Sequence, residues 1–130
     1  DFVSLHAKAF NRRVPLRGEI VVFQHSDYSY PLTKRVIGVG GDMIKFGNDG
    51  VFVNDGRIRA PYVLNLEDST TKSGQVKVPS GRFFVMGDNR SQSVDSRDRD
   101  FGFLDPTMII GKPLYVYWSK NKDRIGERLR

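Results

Sequence analysis

Apolar residues in this chain come in short runs, and no segment sustains a 3.6-residue apolar period, so long helices are not expected. Glu19-Ile-Val-Val-Phe-Gln24 is rich in β-branched residues and reads as a buried strand. Thr33 to Val39 is a second strand, followed by Gly40 and Gly41 at a bend. Asp42 to Phe46, Val51 to Val53 and Arg57 to Arg59 are separated by Gly-Asn-Asp-Gly and Asn54-Asp-Gly56. These are two hairpin signals in succession, with glycine at the position that tolerates a left-handed backbone, and they predict a three-stranded meander. Val76 to Val78 and Arg82 to Met86 are further strands, and Leu114 to Trp118 is the last. Asp105-Pro-Thr-Met-Ile predicts a single helical turn, residues 1–18 irregular structure with a short strand, and 60–75 a polar excursion.

About eight short strands without repeats define a mainly β class with little helix. The expected architecture is antiparallel sheets folded into a partly closed β-barrel-like domain, with a small β-hairpin or meander excursion over about 43–82. At 130 residues the chain is one domain that can bury a core without staples. It has no cysteine, which excludes disulfides and thiolate metal sites. No apolar run is long enough to cross a membrane. The chain opens at Asp1 with no methionine and reads as a piece of something longer. Its 21 basic and 15 acidic residues give a net charge of +6, compatible with nucleic acid, anionic lipid or acidic partners. The basic residues form no stripe with interleaved aromatics, so a nucleic-acid partner is not expected.

Two stretches break the apolar pattern with charge. Met86-Gly-Asp-Asn-Arg-Ser-Gln-Ser-Val-Asp-Ser-Arg97 is a polar run that cannot build a core and must be solvated or held by its own hydrogen bonds and ion pairs. Leu32-Thr-Lys-Arg-Val-Ile-Gly-Val-Gly-Gly-Asp42 puts a Lys-Arg pair inside an apolar strand. Alternation places Lys34 with Val36 and Arg35 with Ile37. A lysine among apolar neighbours loses solvation of its charge, so it can accept a proton near neutral pH and serve as a general base. Alternatively it is an edge lysine whose ammonium reaches water.

Ser93 and Ser96 are the hydroxyls expected to touch Lys34; as loop serines they could equally cap turns. Arg35 with Asp88 or Asp95, and Arg97 with Asp95, can form forked ion pairs that pin the polar run. Asp88, Asp95, Asp98 and Asp100 cluster like oxygen ligands, but their spacing does not fit a calcium loop and Arg90, Arg97 and Arg99 are interleaved, so no metal is expected. His6 and His25 are isolated and read as ordinary surface residues. No nucleotide-binding fingerprint is present.

Three ordered blocks carry a family resemblance. Arg17-Gly-Glu-Ile-Val-Val-Phe23 matches R-G-D-I-V-V-F, with Glu19 for Asp. Lys34-Arg-Val-Ile-Gly-Val-Gly-Gly-Asp42 matches K-R-V-I-G-L-P-G-D, with Gly40 for Pro. Gly87-Asp-Asn-Arg90 with Ser93, Asp95-Ser-Arg97 and Phe101-Gly102 matches G-D-N-R-x-x-S-x-D-S-R and the aromatic-glycine pair after it. The chain resembles the extracytoplasmic catalytic domain of bacterial type I signal peptidases, the serine-lysine endopeptidases that remove signal peptides from exported proteins.

The resemblance implies that Lys34 is the general base and that Ser93 orients its amine. It implies that Asp88 with Arg35, and Asp95 with Arg97, shape the site, and that Val22, Leu32 and Thr33 line shallow pockets for small side chains. It implies an extended preprotein added as a strand beside Lys34 and cleaved after a small-x-small sequence, with no cofactor. The expected location is the plasma membrane, with the domain on its extracytoplasmic side. The family's nucleophile lies in an upstream S-M-x-P-T block that nothing here matches, so the nucleophile, part of the oxyanion hole and the membrane anchor are expected outside this chain. With that segment absent, Phe2, Val3, Leu5 and Phe10 are expected to form an exposed apolar patch. Asp98-Arg-Asp100 stands where the family usually has one residue, which puts that loop and the partner of Arg97 in question. Other readings are a catalytically silent relative that assembles surface proteins and a self-cleaving serine-lysine protease; the Gly87-Asp-Asn-Arg90 block speaks against the second.

Overall fold

Why the central strands read as continuous apolar runs follows from where they lie. The computed structural model describes residues 2–6, 10, 13–47, 50–57, 73–89 and 93–118. The described strands are β1 (Phe2–His6), β2 (Ile20–Phe23), β3 (Leu32–Val39), β4 (Met43–Gly47), β5 (Gly50–Val53), β6 (Gly56–Arg57), β7 (Gly74–Lys77), β8 (Phe83–Met86) and β9 (Ile109–Trp118). They form two antiparallel sheets, ordered β1-β9-β2-β3-β8 and β6-β5-β4-β7. Neither order returns to its first strand, so the partial closure expected goes no further than two open sheets.

Within the five-stranded sheet, β2, β8 and the middle of β3 are buried on both faces. Val36, Phe83 and Val85 join Val21, Phe23, Phe101 and Leu104 on one side. Ile37, Phe84 and Met86 join Ile44, Phe46, Val51 and Val78 of the smaller sheet on the other. A strand covered on both faces has no polar alternation to show, which is why β2 and β8 are apolar at every position. β4 has one buried face and alternates, with Ile44 and Phe46 inside and Met43 and Lys45 exposed.

Several boundaries differ from those the sequence implies. The meander gains a fourth strand, because β7 pairs with β4 from Met43↔Lys77 to Phe46↔Gly74. The turn between β5 and β6 places Asn54 and Asp55, at φ 51° and 69°, in the left-handed region, while Gly56 enters the strand opposite Val53. Two consecutive positive-φ residues make the turn whose twist matches the strands, and Asn and Asp tolerate that conformation. β9 starts at Ile109, five residues before Leu114, and runs through Pro113. Its pairing with β2 spans Ile109 and Gly111, whereas Pro113 faces β1 alone, where a missing N–H costs no ladder bond on the β2 side. Residues 60–72 and 119–130 of the polar excursion and the charged tail lie outside the described residues. So do the side chains of Phe2, Val3 and Leu5; Phe10 is half-buried against the core beneath Arg13, which is not the exposed position expected of it.

Two carboxylates fasten the N-terminal approach to the sheets. Glu19 accepts from Arg13 Nη1 (2.6 Å), Lys112 Nζ (3.0 Å) and Leu16 N (2.8 Å). Asp42 accepts from Arg17 Nε (2.7 Å), Val39 N (2.9 Å) and Asn54 Nδ2 (2.9 Å). The Arg13 hydrogen bond first, with Leu16 N and Lys112, lowers the Glu19 pKa to about 2. The Arg17 hydrogen bond first, with Val39 N and Asn54, brings Asp42 to about 2. Both pKa values are lower folded than unfolded, so both groups stabilise the fold above their ordinary values, 4.5 and 3.8, and lose that contribution as pH falls towards about 2. The melting temperature is expected to fall across that window, and Asp42→Asn to flatten the fall; scanning calorimetry from pH 6 to 2 measures both. An equal slope in the variant would remove Asp42 from the account.

Gly40, where the resembled block carries proline, lies in a tight backbone crossing. A Cβ there would sit 2.9 Å from Gly81 N and 3.1 Å from Pro79 O, so the turn at 79–81 occupies the space of a side chain.

Candidate active site

β3 delivers two cations to opposite faces of one strand. Val21 lies across from Lys34 and Ile20 across from Arg35. Pairing between β3 and β8 begins at Arg35↔Met86, so Leu32 to Lys34 extend beyond that register. Lys34 is half-buried, and its Nζ donates to Ser93 Oγ at 2.8 Å. Ser93 itself is 7% exposed although it belongs to the polar run.

The polar run is held because it covers the outer edge of β8. Phe83 and Leu104 exchange backbone bonds, Phe83 N to Leu104 O at 3.0 Å and the reverse at 2.7 Å. Val85 N donates to Ser96 Oγ at 3.0 Å, and Ser96 N to Val85 O at 3.0 Å. Gly87 N donates to Asp95 Oδ2 at 3.0 Å. Edge groups that would otherwise face water are thereby paired. Ser96 serves this edge, and the hydroxyl that the structure brings to Lys34 is that of Ser93.

Asp95 and Arg97 form the buried clamp. Arg97 Nε and Nη2 donate to the two Asp95 oxygens at 2.9 and 3.0 Å, and Arg97 N adds a third bond at 3.1 Å. Both side chains are 0% exposed. Burial opposes the charge on Asp95, but the Arg97 fork and charge, with the Gly87 and Arg97 N–H groups, outweigh it and hold the pKa below the usual carboxylate value. Residues 98–100 do not disturb this pair. Asp98 Oδ2 accepts from Asp95 N (3.0 Å), Asp98 N donates to Asp95 O (2.8 Å), and Phe101 N donates to Asp98 O (3.0 Å), so the extra length closes into its own turn.

Of the two carboxylates considered for Arg35, the structure selects Asp88. Arg35 Nε and Nη2 reach Asp88 Oδ1 and Oδ2 at 3.1 and 3.0 Å, while Nη1 donates to Gly18 O at 2.7 Å. One guanidinium thus joins β3, the residue after Gly87 and the approach to β2. Asp88 and Asp95, considered above as calcium ligands, both face arginine forks. Among the described residues no group of three or more His, Cys, Asp or Glu is arranged to hold a metal. Val22, 7% exposed, lies across from Thr33, and Leu32 across from Phe23. Val22 and Thr33 therefore share one face of the sheet, and Leu32 shares the other with Lys34. Thr33 is exposed and Leu32 half-buried. Arg90 lies outside the described residues.

Gly87 is the residue whose part in this geometry the sequence reading does not assign. A Cβ on it would fall 2.1 Å from Ser93 Oγ and 3.4 Å from Lys34 Nζ. Its position inside the Gly-Asp-Asn-Arg block was a signal, but only the close approach gives the reason. Gly87→Ala is expected to push Ser93 away from the amine and to destabilise the domain by about 1–3 kcal/mol of overpacking. A crystal structure and thermal melt of the variant test this; an unchanged Lys34–Ser93 distance would contradict it.

A lysine amine held by a serine hydroxyl on an open-ended β strand, braced by two arginine–carboxylate forks, defines a β-sheet domain built around one amine. Known proteins are similar to this chain in sequence and in fold. The family model described as signal peptidase, peptidase S26, matches residues 2–118. Signal peptidase I U of Bacillus subtilis (strain 168) is 38% identical over 109 residues, covering 78% of this chain and 58% of that protein. Signal peptidase IB of Staphylococcus aureus (strain Mu50) is 37% identical over 118 residues, covering 78% of this chain and 60% of that protein. A crystal structure of a signal peptidase I from Enterococcus faecalis V583 superposes with a TM-score of 0.64 at 26% identity, covering 77% of this chain and 97% of that one. The chain belongs to the signal peptidase family, peptidase S26. It spans about three-fifths of the length of the curated relatives it matches.

Proposed function

We propose that this chain is the catalytic domain of a serine endopeptidase that removes signal peptides from exported preproteins. The observation that carries the reading is the Lys34 Nζ to Ser93 Oγ bond of 2.8 Å. Lys34 is the general base: its neutral amine takes the proton of a serine hydroxyl contributed by a segment upstream of this chain. That oxygen attacks the scissile carbonyl and forms an acyl-enzyme, and the same amine then activates the water that releases the mature protein. Ser93 Oγ accepts one amine hydrogen, which fixes the torsion of the lysine end and turns its lone pair away from Ser93. The Asp95–Arg97 and Asp88–Arg35 forks hold the two segments that meet there. No cofactor is needed for this acyl transfer.

The substrate is an extended preprotein lying beside Leu32 to Lys34, where β3 runs past its register with β8. Main-chain bonds to a strand are neutral to sequence, so selectivity for small residues at the cleavage site comes from shallow pockets to which Val22, Leu32 and Thr33 contribute. The protein acts at the outer face of the plasma membrane, anchored by the upstream segment; among the described residues no helix is long and apolar enough to cross a membrane.

The test is cleavage of a preprotein by the full-length protein in detergent, with the new N-terminus read by mass spectrometry. A cut after a small-x-small sequence is expected. Binding without cleavage would overturn the enzyme reading in favour of a silent assembly factor.

A further inference from the structure

His25, expected on the surface, is 6% exposed and fully engaged. Its ring stacks on Phe101, with centroids 4.4 Å apart at 24°, and Tyr28 meets its edge at 5.6 Å. His25 Nε2 lies 3.0 Å from the carbonyl oxygen of Phe101. On the opposite side of the ring, Asp27 N donates to His25 Nδ1 at 3.1 Å. A carbonyl can only accept and an amide N–H can only donate, so the two hydrogen bonds together fit the neutral imidazole with its proton on Nε2; the Asp27 carboxylate, 3.9 Å from Nδ1, is beyond hydrogen-bond distance. Phe101 is 7% exposed, packs edge-on against Phe23 of β2 at 6.1 Å and belongs to the same core cluster.

These contacts join the two chain segments that supply the candidate site. One is the connection from β2, which holds its own turn through Tyr28 N to His25 O at 3.1 Å and then enters β3 at Leu32, two residues before Lys34. The other is the turn at 98–101, which hangs on Asp95 through Asp98. From there Asp95 holds Gly87 N, and Gly87 abuts Ser93 and Lys34. The stacking alone would let the turn slide along the ring; the Nε2–H bond to the Phe101 carbonyl fixes its register.

We propose that His25, as the neutral Nε2–H tautomer, is a positioning residue that sets the Asp95–Ser93 arm against Lys34. It touches neither substrate nor reacting atoms. The proposal rests on the catalytic reading above, since positioning Ser93 matters only if Lys34 is the base. A misplacement on the scale of an ångström is enough to lower a proton-transfer step by about a hundredfold.

The experiment compares full-length wild-type protein with His25→Leu, which keeps apolar bulk, and His25→Gln, whose side-chain amide can still donate to the Phe101 carbonyl. His25→Leu is expected to lower kcat by roughly 10- to 100-fold with KM changed less than about twofold, and His25→Gln to recover most of the loss. Equal activity in all three, or equal losses in both variants that follow melting temperature alone, would overturn the proposal. Histidine-selective nitrogen-15 spectra of the wild type provide a readout independent of cleavage. Protonated Nε2 with unprotonated Nδ1 is expected, and the reverse tautomer would end the proposal while leaving the enzyme reading intact. If the wild type cuts no preprotein, the enzyme reading fails, and amide hydrogen exchange decides the clamp. Faster exchange at Gly87 and Asp95 in His25→Leu, restored in His25→Gln, would support it; exchange unchanged from wild type would overturn it.

Discussion

Lys34→Ala in the full-length protein is expected to lower preprotein cleavage by about 10²- to 10⁴-fold, the range general-base catalysis supplies. The hydroxyl of a serine is a poor nucleophile while it keeps its proton, and in the mechanism proposed above Lys34, whose Nζ lies 2.8 Å from Ser93 Oγ, is the base that takes it. Lys34→Arg is expected to fare no better despite retaining charge and length, because a guanidinium stays protonated at any usable pH and has no lone pair to offer. Ser93→Ala should be milder, about 10- to 10²-fold, since it loses the orientation of the amine and keeps the base. In the parent, cleavage should rise with pH as the fraction of neutral amine rises. Single-turnover rates on one preprotein across a pH series measure all four proteins. Cleavage by Lys34→Arg at the parental rate would show that Lys34 is not the base.

The largest loss of stability is expected at Asp95→Ala. Asp95 and Arg97 are both inaccessible to solvent, and the carboxylate accepts from Arg97 Nε, Nη2 and N and from Gly87 N. Removing one partner of a buried pair leaves the other charge desolvated without compensation, at a cost of roughly 3–5 kcal/mol. For a domain of this size that corresponds to a fall in melting temperature on the order of 10–20 °C. The double variant Asp95→Leu with Arg97→Met is expected to recover much of the stability, because replacing a buried pair by apolar groups of similar volume is close to neutral. It should not recover cleavage, because the Gly87 N–H loses its acceptor and the loop beside Ser93 loses its tie. A double-mutant cycle by chemical denaturation, read alongside activity, separates the two effects. If Asp95→Ala melted within a degree or two of the parent, the clamp would be no brace.

The choice between stability and activity at Arg35 follows the same physics with a different weighting. Its fork to Asp88 is partly open to water, with the aspartate side chain 25% exposed, so this pair is screened more than Asp95–Arg97. Its third contact, to Gly18 O, ties the approach to β2 into the bracing of the site. Arg35 thus links segments far apart in sequence without itself meeting the amine.

What the sequence determined by itself is local. Runs such as Ile20–Phe23 and Phe83–Met86 are apolar at every position and mostly β-branched or aromatic, and no strand-breaking residue interrupts them, so their conformation was legible. The single turn at Pro106–Met108 was equally legible, because Asp105 caps it and proline starts it. The spacing of Lys34, Asp88, Ser93, Asp95 and Arg97 was visible too, since charge inside or beside an apolar strand stands out. Tertiary structure decided whatever depends on which groups meet. By local pattern alone Arg35 had two carboxylates, Asp88 and Asp95, and the resemblance named Asp88 without a geometric reason; the close of β8 at Met86, opposite Arg35, is what brings Asp88 to it. Ser93 and Ser96 were likewise equivalent hydroxyls by local pattern, and the resemblance named Ser93 without a geometric reason; the fold supplies one, because Ser96 is taken by the Val85 backbone at the edge of β8. Gly87 matters through a distance to Ser93 that no local pattern encodes, and His25 through a carbonyl 76 residues away. Conformational preference is a property of neighbours along the chain, whereas burial and hydrogen-bond pairing depend on segments brought together by folding. The first can be read from a sequence; the second had to be seen in the packed sheets.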